Sequence, residues 1–196
     1  MKEPGARCPT QFHKLKRIAN MKSLRIARIA LPLLLSFAVT AAFAQISAQK
    51  SFGQLKALAG SWEGKDSDGR PVRVSFRDVG RGSALMSEIQ KEGHGGVRFN
   101  MISMIHLDGP NRLVLTHYCS DATQTRMAAT TSPDGKTITF DFFDNTNTTP
   151  DSTNTRRLIF TIVDANHHTE DWTFFAGRGK ETKDFFDLHR TEAAQK

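Results

Sequence analysis

From position 70 onward the chain alternates between apolar and polar residues. In PVRVSFRDV, Val72, Val74 and Phe76 fall on one side of an extended strand and Arg73, Ser75 and Arg77 on the other. The same period of two recurs in ALMSEIQ, VRFNMISMIHL, RLVLTHYC, TRMAATT and TITFDFF, where Ile138, Phe140 and Phe142 share a face. RRLIFTIVD, HHTEDWTFFA and ETKDFFDLHR complete the series. Short turn sequences separate most of these runs: GRGS, DGPN, SPDG and GRGK. Helical spacing occurs only at the start, where Leu55, Leu58 and Ala59 suggest a turn or two stopped by Gly60. The pattern predicts nine or ten strands in one antiparallel meander. One longer Asn/Thr-rich connection runs from Asn145 to Thr155. A meander of this length removes its exposed edges by closing into an up-and-down barrel, so the expected fold is all-β, a single barrel with a short N-terminal helical turn. A two-sheet sandwich is the alternative.

The first 44 residues follow a different pattern. From Met21 the chain reads as a basic segment (Lys22, Arg25, Arg28), an apolar run from Ile29 to Val39, and Ala42-Phe43-Ala44 before Gln45. That is the layout of a secretory signal peptide, with an apolar run short for a membrane span. Residues 1–20 fit no element and read as an early-called start or an extended basic segment. The expected organisation is therefore 1–20 leader, 21–44 signal peptide and 45–196 barrel domain, periplasmic or secreted, with no membrane span in the mature form.

This organisation changes the meaning of the charge. The chain has 27 basic and 20 acidic residues, a net charge of +7. Residues 1–44 hold 8 of the basic residues and 1 of the acidic ones, leaving 19 of each from Gln45 on. The excess positive charge belongs to the export segment, which removes the argument for a nucleic-acid partner. Cys8 leaves with that segment too. Cys119 is then the only cysteine, and an internal disulfide is impossible.

The opening LAGSWEGK, followed by an up-and-down series of strands, resembles the calycin superfamily of lipocalins, fatty-acid-binding proteins and related barrels. The resemblance rests on Gly60-Ser61-Trp62. It implies that Trp62 plugs one end of the barrel beneath a basic side chain from the last strand, here Arg190. HLDGPNRLVLTHYC and FTIVDANHHTEDWTF also resemble a group of small secreted bacterial proteins classed as a domain of unknown function, a likeness that covers most of residues 52–191 and brings no activity with it.

Candidate chemistry concentrates on two strands. If DGPN closes a tight hairpin pairing Leu107 with Arg112, then His106, Met104 and Ile102 share a face with Leu113, Leu115, His117 and Cys119. His117 and Cys119 lie two residues apart, ~6.5–7 Å along one face. On the other strand, Trp172 and Phe174 mark the interior side, which also carries His168 and Glu170. A His and a Glu placed inside are costly unless paired or engaged with a ligand. His168 would then meet His117 and Cys119 across the barrel, a set of donors that suits zinc. The alternative is that these residues are core or cavity lining that satisfies itself. Some calycin-like barrels hold haem through one His, for which His189 is the candidate here.

Other motifs carry less. AGRGKE and GRGSAL lack the spacing of a phosphate loop, and no G-x-S-x-G elbow occurs. Cys119 and His117 match a thiol nucleophile and base in composition only. Glu170 with Asp184 or Asp187 would suit acid–base work if paired. The expected function is binding of a small, largely apolar molecule inside the barrel, with His117, Cys119, His168, Glu170 and Trp172 as ligand contacts and Gly60, Trp62 and Arg190 as structural signature. No cofactor is required by this reading. The alternatives are a metal or haem protein, or an enzyme, using His117, Cys119 and His168, and a structural or interaction module with a filled barrel.

Overall fold

The computed structural model describes residues 48–149, 151–176 and 179–191, all within the unit Phe43–Lys196. The leader, the signal-like segment and Cys8 lie outside the described residues, as do Gly177 and Arg178 of the GRGK turn. Ten antiparallel strands follow one helix, α1 (48–56). They are β1 (Gly60–Lys65), β2 (Pro71–Val79), β3 (Ala84–Glu92), β4 (Arg98–Leu107), β5 (Leu113–Tyr118), β6 (Gln124–Thr131), β7 (Thr137–Thr146), β8 (Asn154–Asp164), β9 (His167–Ala176) and β10 (Lys180–Arg190). Each pairs with its neighbours in sequence, and β1 pairs with β10 to close the barrel. The sandwich alternative is thereby excluded. Among the described residues, no helix is long and apolar enough to cross a membrane.

The closing seam pairs Trp62 with Arg190 and Gly64 with Leu188. Gly64 is fixed by close approach: a Cβ there would stand 1.7 Å from the Asp187 carbonyl oxygen. Any larger residue has to push β10 outward and break the seam.

Alternation places the expected faces inward. Val72, Val74 and Phe76 of β2 are buried, as are His168, Glu170 and Trp172 of β9. The β4–β5 hairpin departs from expectation by one residue. Leu107 pairs with Leu113, and His117 faces Ser103 rather than Ile102. The cause is the turn: Asp108 N–H donates to the Arg112 carbonyl at 2.8 Å and Gly109 takes a φ of 70°, so five residues connect the strands instead of four. One extra residue flips every side chain of the partner strand. Met101, Ser103 and Ile105 therefore face inward with His117, and Met104 and His106 do not. The long connection is also shorter than expected, because β7 runs on to Thr146 and β8 begins at Asn154.

The two ends of the barrel differ. One end is stoppered by α1 and the turn after it, which bury Phe52, Leu55 and Leu58. Trp62 completes the plug, fully buried, with its Nε1–H donating to the Leu58 carbonyl at 2.7 Å. The Arg190 guanidinium lies 4.3 Å from the Trp62 ring centre. It donates to the carbonyls of Ala59 (2.7 Å), Ala57 (3.0 Å) and Ala165 (3.1 Å). One planar fork thus ties the end of the helical segment and the β8–β9 turn to the last strand.

Candidate functional site

A column of polar side chains on the inner face of β9 leads from this plug toward the opposite end. His168 meets Trp62 edge-on, with ring centres 4.3 Å apart, and packs against Phe76 and Phe160. Its Nε2 lies 3.4 Å from Glu170 Oε1, and Trp172 Nε1–H donates to Glu170 Oε2 at 3.0 Å. A buried carboxyl needs such partners, because leaving it bare in an apolar core costs far more than its hydrogen bonds return. Trp172 then packs on His117, with ring centres 4.9 Å apart.

At His117 the packing gives way to a cavity of about 280 Å³. It lies at the end away from α1, where β3, β5 and β9 finish and β4 and β10 begin. Phe99, Met101, Trp172, Phe174 and Phe186 give it mostly apolar walls, with His117 and Cys119 alongside. His117 Nδ1 is hydrogen-bonded to Ser103 Oγ at 2.9 Å. Its Nε2 is buried with no hydrogen-bond partner among the described residues, and neither has Thr125 Oγ1, on the residue facing His117 across the β5–β6 ladder. Ser87, Ser103, His117 and Thr125 occupy one rung across four adjacent strands, all buried. This buried polar band meets the cavity through His117. Burial lowers the His117 pKa from 6.5 to about 4, against a smaller opposing pull from Asp121. The ring is neutral near neutral pH, with one nitrogen left to offer.

The rim is charged but self-neutralised. Lys91 Nζ lies 3.0 Å from Asp66 Oδ2 and also pairs with Asp184. Burial would raise the Asp66 carboxyl, but the Arg70 backbone N–H and the Lys91 ammonium outweigh it and hold it at about 2. Asp121 is likewise pushed up by burial and pulled further down by Thr123 and by the Thr153 N–H, which clips the β7–β8 connection to the rim. Burial raises the Cys119 pKa, so it stands as a thiol rather than an activated nucleophile.

The structure brings His117, Cys119 and Trp172 together on the cavity wall. His168 and Glu170 sit below it in the filled half of the barrel. His168 is four residues from Trp172 along β9, ~13 Å by strand rise. The expected meeting of His168 with His117 and Cys119 does not occur, and their ligand atoms do not converge. Glu170 does not pair with either aspartate: it faces inward to His168 and Trp172, Asp184 joins Lys91, and Asp187 faces outward to His167. Nor do the residues fit haem. His189 is exposed on the outer face, and the cavity beside His117 lies just under the ~300–1,000 Å³ of typical small-molecule sites, too tight for a tetrapyrrole. Ser103, the partner of His117, is not legible in the sequence, because the extra residue in the Asp108–Arg112 turn shifts the register by one. Lys91 was readable as the inward residue two beyond Ile89.

Fold and cavity together define a class: a closed ten-stranded antiparallel barrel, plugged at one end and hollow at the other. Among solved structures the chain is similar to Rv2717c from M. tuberculosis, with a TM-score of 0.55 and 19% identity over 72% of this chain and 98% of that one. It also matches a redesigned β barrel (TM-score 0.38, 13% identity, 69% of this chain, 93% of that) and a de novo designed fluorescence-activating β barrel (0.36, 12%, 69% and 98%). No family model matches, and no curated protein does.

Proposed function

We propose that the protein is an exported, calycin-like carrier that holds a small, uncharged, largely apolar molecule in the open end of its barrel. The observation that carries this reading is the cavity itself, which is walled mostly by Phe99, Met101, Trp172, Phe174 and Phe186 and bordered by the neutral ring of His117, whose buried Nε2 has no partner among the described residues. Small-molecule sites have this composition, apolar walls with a few placed polar groups. The state of the rim narrows the ligand further. Lys91 is already held by two carboxylates, and it is the only cationic side chain among the residues lining the cavity, which disfavours a fatty-acid anion. A hydroxyl, carbonyl or arylamine on an apolar body suits the single neutral imidazole better. The Trp62–Arg190 plug supports the calycin-like reading, and the 21–44 pattern supports export. If export is right, the protein recovered from the periplasm starts at Gln45; a mature form that still carries residues 21–44 would refute it.

The binding reading is tested with the neutral fluorophore N-phenyl-1-naphthylamine. Saturable, one-to-one fluorescence enhancement is expected. Cys119→Phe, which fills the cavity mouth, should abolish it. His117→Leu should weaken it about tenfold, the worth of one buried hydrogen bond. Binding unaffected by Cys119→Phe would place the ligand elsewhere, and no binding at all would count against a carrier.

A further inference from the structure

The second concentration of chemistry lies on the outside of the barrel, near the plugged end. His167 opens β9 and His189 lies opposite it near the end of β10. Their rings stack, with centroids 4.3 Å apart and planes 20° from parallel. Asp187, two residues before His189 on the same outer face, reaches both: its Oδ1 is 2.8 Å from His167 Nε2 and 3.7 Å from His189 Nε2. One ligand atom from each of the three lies within 4.8 Å of the others.

We propose that His167, His189 and Asp187 bind a divalent transition-metal ion of the zinc type. Three features carry this. The first is the donor set: two imidazoles and one carboxylate leave a fourth position for water, a combination that zinc accepts and that harder cations such as magnesium do not favour. The second is spacing. Metal–ligand bonds of 2.0–2.2 Å in tetrahedral geometry put donor atoms about 3.4 Å apart, and the separations of Asp187 Oδ1 from the two imidazole nitrogens, 2.8 and 3.7 Å, bracket that value. Because each lone pair lies in its ring plane, the stacked rings have to splay apart about their side-chain torsions to aim both nitrogens at one ion. The third is the surrounding field. On the same rung, Asp164 of β8 lies opposite His167 and Glu63 of β1 lies opposite His189, so the imidazoles are flanked by carboxylates on both neighbouring strands. Two cations border this field: Arg73, hydrogen-bonded to Glu63 at 3.0 Å, and Lys65 of β1, which lies opposite Asp187 one rung pair away. The ion takes the place of the proton between His167 and Asp187 and clasps β9 to β10 beside the Arg190 seal. This site is independent of the interior cavity and uses none of its residues.

The test is a zinc titration of the chelator-stripped protein by calorimetry, with His167→Gln, His189→Gln and Asp187→Asn, and with His94→Gln as an exposed-histidine control. All four positions face solvent at least in part, and circular dichroism checks that each variant folds. The wild type and His94→Gln should bind one more equivalent than either histidine variant, or bind it at least tenfold more tightly. Asp187→Asn should weaken it about tenfold, and excess magnesium should not compete. In the wild type, the side-chain nitrogen resonances of His167 and His189 should shift together on zinc addition. Zinc binding that is equal in wild type and both histidine variants, or absent from the wild type, overturns the proposal.

Discussion

Replacing Trp62 with alanine is expected to remove about 4 kcal/mol of stability, as large aromatic-to-alanine changes in well-packed cores do. The ring is fully buried, and three different groups depend on it. His168 stands edge-on against it, Arg190 lies over it, and Leu58 receives its N–H. Truncation leaves a cavity between α1 and the barrel core and frees the Leu58 carbonyl. Against a typical total of roughly 5–15 kcal/mol, a loss of this size puts the variant near the edge of folding. The urea midpoint reads it directly. Arg190→Lys separates the plug from the stacking. An ammonium cannot span the carbonyls of Ala57, Ala59 and Ala165 as the fork does, so a loss of about 2 kcal/mol is expected even with Trp62 intact. A Trp62→Ala protein with an unchanged midpoint would mean that the plug does not hold the end of the barrel.

Acid is expected to weaken the protein through His117 specifically. Its folded-state pKa lies at about 4, below the 6.5 of an exposed imidazole, because burial penalises the charged ring. Between those values the unfolded chain binds a proton that the folded chain refuses. Stability therefore rises with pH across this window, and it is lost as pH falls from 6.5 toward 4. Each tenfold difference in proton affinity is worth about 1.4 kcal/mol, so the contribution at stake is about 3 kcal/mol. The measurement is the urea midpoint as a function of pH for the wild type and for His117→Leu. The variant starts from a different baseline, since Ser103 loses its partner, but its curve should lack this drop. Parallel curves would show that His117 titrates as an exposed residue and that the polar band is wet.

Alternation alone was enough to find the strands and most of their faces, because a half-buried strand has to repeat every two residues. It correctly turned His168, Glu170 and Trp172 inward. It failed at the one turn from which a register was derived, DGPN. Met101 and Ser103 were hidden because the turn from Asp108 to Arg112 carries one residue more than a tight hairpin. The height at which His117 and His168 sit was also illegible. In a closed barrel it depends on strand stagger, which no single strand encodes. His168 thus joins the Trp62 plug, while His117 lies with Trp172 beside the cavity. The outer histidine pair was missed for a related reason: His167 and His189 meet only through the β9–β10 register, twenty-two residues apart in the chain.

The central claim is that a small molecule occupies the cavity beside His117. Nuclear Overhauser contacts between bound N-phenyl-1-naphthylamine and the protein test it most directly. The account predicts contacts to the Met101 methyl, the Trp172 indole and the Phe174 ring. Contacts confined to outer-face residues such as Phe143 or Val163, with none to those three, would contradict it.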